Sequence, residues 1–309
     1  MSVLDVRDLK KSFGKNHAVQ GISFSVSAGE VFTIIGPNGA GKTTTLEMIE
    51  GLVTPDHGEI LFGNLTWEKN SKTIKQMIGV QPQSSAMFDL LNPEENLDLF
   101  ATFYDKARPT EEVLKLVNLT DHRKNHVKKL SGGQRQRLAI GLAMISDPDI
   151  IFLDEPTTGL DPQARRNIWD IILELKKLGK TIILTTHYME EAEKLSDRVC
   201  IVDQGKIVTL DTPAALIAKL TEEREVRLAF IDGAAAAEEA EVFSQNIDSV
   251  VRTEREGSSL KLWSTNPEDT LYDLFGFTKE KNYKVEQVSI REMSLEDVFI
   301  AFTGKEWRD

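Results

Sequence analysis

Short, continuous apolar runs recur along the first two thirds of this chain. Glu30–Ile35 (EVFTII), Asp149–Leu153 and Thr181–Thr185 are apolar or β-branched almost throughout. Runs of that length without alternation predict strands buried on both faces, as in a parallel sheet. Gln163–Leu178 has apolar residues at helical spacing and lies between the last two runs. Strand, helix, strand of this length predicts a parallel β-α-β unit. Val3–Val6 and Ile22–Val26 predict shorter strands, with a Gly/Lys/Asn turn between them. From Ser84 to Ile145 the rhythm becomes helical, in NPEENLDLFATFY, PTEEVLKLVNL and GGQRQRLAIGLAMI. Pro93 and Pro109 stand near helix starts, where proline is tolerated.

The pattern changes after Asp211–Pro213. Glu225–Ile231 reads as a strand and Ala234–Gln245 as a helix. Ser249–Arg255 and Ser259–Ser264 read as a hairpin about Gly257. Asp269–Phe275 reads as a helix, Val285–Arg291 as a strand and Ser294–Phe302 as a last helix. The order β-α-β-β-α-β predicts a ferredoxin-like fold. The expected architecture is an α/β core over residues 1–220, with a helical subdomain at about 84–145, followed by a small α+β domain over residues 221–309.

The length of 309 residues suits two domains. The net charge of −12 argues against nucleic acid as a partner, because phosphate neutralisation needs a basic face. From Thr221 to Asp309 there are 11 Lys/Arg and 20 Asp/Glu, so 11 − 20 = −9 falls in the last third. The single cysteine, Cys200, lies in the apolar run Val199–Val202 and predicts a buried thiol without disulfides, as in a reducing cytosol. No apolar run has the length of a membrane span or a signal peptide core. A transport role would need a second chain to form the pathway.

The run Glu30–Ile35 leads directly into Gly36-Pro37-Asn38-Gly39-Ala40-Gly41-Lys42-Thr43-Thr44, which fits G-x-x-x-x-G-K-[ST], and then into a helix. The glycines let backbone amides close around phosphate oxygens. The helix start offers its positive end to the anion. Lys42 is expected at the β- and γ-phosphates, and Thr43 at Mg²⁺. A merely flexible turn is a poor alternative, because the flanking strand and helix are those the motif requires. Asp154 and Glu155 close the apolar strand Ile150–Leu153. Asp154 is expected to hold Mg²⁺, and Glu155 to act as general base toward water.

Leu130-Ser131-Gly132-Gly133-Gln134 opens a second helix with glycines. Read alone, Ser131 is a helix cap. Beside a phosphate loop in the same chain, this helix end suits the γ-phosphate of ATP held by a second copy. Taken together, these motifs resemble the nucleotide-binding subunits of ABC transporters, and the resemblance covers Val3 to about Leu216. By it, Phe13 stacks on adenine in place of the commoner tyrosine. Gln83, rather than Gln81, is the glutamine that senses the γ-phosphate and Mg²⁺ and begins the segment touching the membrane subunits. Leu130–Gln134 is the signature motif. Gly159-Leu160-Asp161 is the D-loop, preceded by Thr158 rather than serine. His187 contacts the γ-phosphate and positions water. The other histidines (His17, His57, His122, His126) lack ligand-like spacing and are assigned no metal.

The resemblance also implies ATP and Mg²⁺ as ligands, a pair of copies (or this chain with a related ATPase subunit) each completing the other's site, and a separate transmembrane permease. The chain would then lie at the cytoplasmic face of the membrane. The ending Ser294-Leu-Glu-Asp-Val-Phe299, with Thr303-Gly304, resembles bacterial exporter ATPases for drugs, antibiotics or lipids. The alternatives are an importer ATPase with a regulatory tail, a soluble ABC ATPase acting on ribosomes or DNA, and a non-hydrolysing clamp. The presence of Gln83, Glu155 and His187 together disfavours the clamp.

Overall fold

The computed structural model describes residues 2–83, 87–220, 223–291 and 293–304. The first residues of the expected helical subdomain, 84–86, and of the expected second domain, 221–222, lie outside that set. The chain forms two compact units, Met1–Pro213 with Phe302–Asp309, and Ala214–Ala301. The expected boundary at 220/221 falls later than this division, which lies where the sequence pattern changes, at the start of the helix Pro213–Ala218.

In the first unit the elements run β1 (Ser2–Phe13), β2 (Asn16–Ser27), β3 (Val31–Ile35), α1 (Lys42–Ile49), β4 (His57–Leu61), α2 (Trp67–Met77) and β5 (Ile78–Gln81). Then come α3 (Pro93–Ala101), α4 (Thr110–Leu116), α5 (Gly132–Met144), β6 (Ile150–Asp154), α6 (Pro162–Lys177), β7 (Thr181–Thr186), α7 (Met189–Leu195), β8 (Arg198–Asp203) and β9 (Lys206–Asp211), after which α8 (Pro213–Ala218) opens the second unit. One sheet has the order β5-β6-β7-β3-β8-β9. It is parallel from β5 to β8, and β9 joins antiparallel.

The apolar runs behave as expected of strands covered on both faces. Ile151, Leu153, Ile182 and Leu184 pack with α5 and α6 in one core. Their alternates Ile150, Phe152 and Ile183 pack on the other face with Leu46 and Ile49 of α1. That second core is closed by an antiparallel sheet of order β2-β1-β4.

β1 and β2 extend well beyond Val3–Val6 and Ile22–Val26, to 12 residues each. Their outer halves carry Lys, Asp, Gln and His at exposed positions, and Asp8 takes a φ of 44° where the register shifts. The apolar alternation is broken there, so the strand ends were not legible.

In the second unit, β10 (Arg224–Phe230), α9 (Ala234–Ser244), β11 (Val250–Glu256), β12 (Ser259–Ser264), α10 (Pro267–Lys281), β13 (Val285–Arg291) and α11 (Leu295–Thr303) follow in order. The antiparallel sheet has the order β11-β12-β10-β13. This is the arrangement a split β-α-β repeat gives. Val226, Leu228, Phe230, Leu260 and Leu262 meet Ala236, Ala240, Leu274 and Phe277 of the helices in its core.

Candidate active site

Because β3, β5, β6 and β7 are parallel, their C-terminal ends face the same way, and Gly36–Thr44, Gln83, Asp154, Glu155 and His187 lie at or just past those ends. Gly36 follows β3 so closely that a Cβ there would sit 2.2 Å from the carbonyl oxygen of Val202 on β8. Gly41 caps α1 with a φ of 101°, and a Cβ would meet Ala18 O at 2.4 Å. No other residue type fits either position. Gly41 offers no side chain, so the first amides of α1 have no side-chain cap. They form the anion-accepting end expected of Gly36–Thr44.

Lys42 is buried. Its ammonium donates to Gly36 O at 2.8 Å and Pro37 O at 3.3 Å, and lies 3.5 Å from Glu155 Oε1. Burial lowers its pKa, while Glu155 and then Asp154 oppose that shift. Asp154 is pushed above the usual carboxylate range by burial, against the hydroxyls of Thr185 and Thr43. Thr43 Oγ1 is 3.4 Å from Asp154 Oδ1. Thr43 and Asp154, two of the three residues expected at Mg²⁺, therefore meet, and their hydroxyl and carboxylate oxygens are the hard donors that this ion takes.

Glu155 turns out of β6 with a φ of 47°, a conformation that costs a non-glycine residue about 1–3 kcal/mol. Its amide is held by Thr185 O at 3.1 Å and Thr185 Oγ1 at 3.0 Å. The turn aims the carboxylate back at the phosphate loop. Oε2 accepts from Thr158 Oγ1 at 3.1 Å and lies 3.5 Å from Gln83 Nε2. His187 Nδ1 is 3.3 Å from the same oxygen, but off the line a hydrogen bond needs, so that nitrogen has no hydrogen-bond partner among the described residues. Gln83 is the glutamine that reaches this cluster. Gln81 is buried, and its amide donates to Pro82 O.

Two groups were not legible as site residues. Thr185 donates to Asp154 while accepting from the Glu155 amide, so one hydroxyl orients both carboxylates. A hydroxyl at the end of the apolar run TIILTT was the available signal. Glu50, at the end of α1, is buried, and its carboxyl is pushed up to about 8 by burial, with the charges of Asp154 and Glu47 adding to the shift. Its helical position alone reads as surface.

The remaining candidates form a separate group. Ser131 and Gln134 make a capping box at the start of α5, with Ser131 Oγ accepting from the Gln134 amide at 3.2 Å. The cap reading of Ser131 therefore holds, and its O–H is left to donate elsewhere. Asp161 caps α6 through the Ala164 amide at 2.8 Å. The two helix starts touch, since a Cβ at Gly133 would lie 2.9 Å from Ala164 Cβ. Among the described residues, no hydrogen bond joins this group to Lys42 or Glu155. Phe13, at the end of β1, is 51% exposed, as a stacking platform must be, with the Lys11 ammonium 5.5 Å from its ring.

A glycine cradle at a helix start, a lysine, paired acids at a strand end and a histidine just past the end of the neighbouring strand define a P-loop ATPase. Known proteins narrow the class. Residues 19–158 match the family described as ABC transporter, and residues 126–191 match an AAA domain described as a putative AbiEii toxin of a type IV system. The Nod factor export ATP-binding protein I of Burkholderia lata is 38% identical over 99% of this chain and 98% of its own length. The linearmycin resistance ATP-binding protein LnrL of Bacillus subtilis is 34% identical over 99% of this chain and 100% of its own. Among solved structures, the dimeric cassette MJ0796 bound to ADP and Pi is 27% identical, with a TM-score of 0.61 over 68% of this chain and 98% of that one. CbiO1 from Clostridium perfringens is 28% identical, with a TM-score of 0.63 over 71% of this chain and 91% of that one. The chain belongs to the ABC transporter ATP-binding proteins, and is an ATP hydrolase of that family.

Proposed function

We propose that two copies of this chain close around two ATP molecules and drive export through a separate transmembrane permease at the cytoplasmic face of a membrane. The convergence of Lys42, Gln83, Glu155 and His187 at the phosphate loop carries the reading. Lys42 binds the β- and γ-phosphates, assisted by the α1 amides. Glu155, held in its strained turn by Thr185, takes a proton from the attacking water, and His187 and Gln83 orient that water and the γ-phosphate. Thr43 and Asp154, with Gln83, would hold Mg²⁺, which when bound neutralises phosphate charge. Phe13 receives adenine. Ser131, Gly132, Gly133, Gln134 and Asp161 stand apart from their own chain's Lys42, which suits a role in capping the partner's ATP.

Export is supported by relatives whose names state export or resistance, matched over nearly the whole chain. Among the described residues no helix is long and apolar enough to cross a membrane, so the pathway falls to the permease. Turnover of ATP by the purified chain with Mg²⁺, with chelator, and in Lys42→Met tests the site. Activity that requires both Mg²⁺ and Lys42 supports it. Undiminished turnover in Lys42→Met would contradict it.

A further inference from the structure

A single row of side chains crosses the sheet of the second unit from edge to edge. Arg252 of β11 pairs with Trp263 of β12, Trp263 with Glu225 of β10, and Glu225 with Arg291 of β13. Directly opposed residues share a face. This face is the reverse of the one carrying Val226, Leu228, Leu260 and Leu262 into the helix-covered core. Asp297 and Ala301 of α11, with Leu220 and Met293, complete a cavity of about 340 Å³ over the row. That size is at the lower end of small-molecule sites, roughly 300–1,000 Å³.

The charges along the row are unequally committed. Arg291 is 2.9 Å from Asp297 and 3.9 Å from Glu225, and Arg227 is 3.6 Å from Glu225. Those two cations and two anions balance. Arg252 has no carboxylate in ion-pair range among the described residues. Its guanidinium instead stacks on Trp263, 3.6 Å from the ring centroid. Stacking fixes the plane of the guanidinium and leaves its N–H edge free, the arrangement that suits bidentate contact with a carboxylate or phosphate. A solvated surface arginine would account for the missing acid, but not for the indole platform and the cavity beside it.

We propose that this pocket binds an anionic amphiphile, with its carboxylate or phosphate on Arg252 and its apolar body against Trp263, Leu220, Met293 and Ala301. The site is independent of the ATP site and uses none of its residues. In a region that carries −9, it selects the anion by a guanidinium that no acid among the described residues neutralises.

The test is calorimetry of the full chain with dodecyl phosphate below its micelle concentration. Dodecyltrimethylammonium serves as the cationic control. One saturable site per chain is expected for the anion, about tenfold or more weaker in Arg252→Gln. ATP turnover should be unchanged in that variant, and its chemical denaturation curve should match the wild type, which shows that the second unit is folded. Phosphatidylcholine vesicles with and without phosphatidic acid distinguish the source. Arg252-dependent binding to the acidic vesicles as well identifies a lipid headgroup, and binding of the free amphiphile alone identifies a soluble ligand. No binding, equal binding of the cationic control, or unchanged affinity in Arg252→Gln would overturn the proposal.

Discussion

Replacing Glu50 by glutamine should make the ATPase unit more stable, by an amount that grows with pH. Glu50 is 8% exposed at the end of α1, and its Oε1 has no hydrogen-bond partner among the described residues. Its pKa rises from 4.5 to about 8. The unfolded chain releases this proton near 4.5, while the folded chain keeps it until about 8. Between those values the folded state binds more protons, so stability falls as pH rises. Each pKa unit is worth about 1.36 kcal/mol, so the loss is under about 1 kcal/mol at pH 5, about 3 at pH 7 and about 5 well above pH 8. These are upper bounds for a carboxyl with a partly open edge. The glutamine amide does not titrate in this range, so the Glu50→Gln variant avoids the loss. Urea unfolding of both proteins at pH 5, 7 and 9, with matched m-values, reads the difference directly. A gap that widens with pH supports the neutral buried carboxyl. Parallel stabilities across that range would show that Glu50 ionises in the folded protein at its ordinary value, and the reasoning would fail.

Thr185→Val keeps the shape of the side chain but removes the hydroxyl shared by Asp154 and the Glu155 amide. It should reduce Mg²⁺-dependent turnover about 10–100-fold with near-normal stability, measured by steady-state kinetics across a Mg²⁺ titration. Trp169→Phe removes the 2.8 Å bond from the indole to buried Glu191 Oε1. A cost of about 1–3 kcal/mol is expected in chemical denaturation, with no change if the carboxyl finds another donor. Gly36→Ala places a Cβ against Val202 O, and should abolish binding of a fluorescent ATP analogue or prevent folding altogether.

The parts of this protein legible in its sequence are those where local order carries the information. The run EVFTII followed by Gly36–Thr44 specifies strand, loop and helix within a few residues. Ile150–Leu153 and Ile182–Leu184 likewise show double burial in their unbroken apolar character. The parts missed depend on neighbours distant in the chain. Thr185 acquires its role only because β6 and β7 pair Asp154 with Thr185. Glu50 is buried by packing that its own helix does not encode. The row Arg252–Trp263–Glu225–Arg291 requires the register of four strands, and no local pattern contains it. The β-α-β-β-α-β order was legible because each of its elements keeps its own period. β1 and β2 were underestimated where charged residues interrupt theirs.

The central claim is that Glu155 activates water at a site shared between two copies. Turnover and solution mass of the wild type and Glu155→Gln, each with MgATP, test it most directly. The account predicts steady hydrolysis by the wild type, and an inactive variant that accumulates as an ATP-bound dimer. Normal hydrolysis by Glu155→Gln, or a variant that stays monomeric with ATP bound, would contradict it.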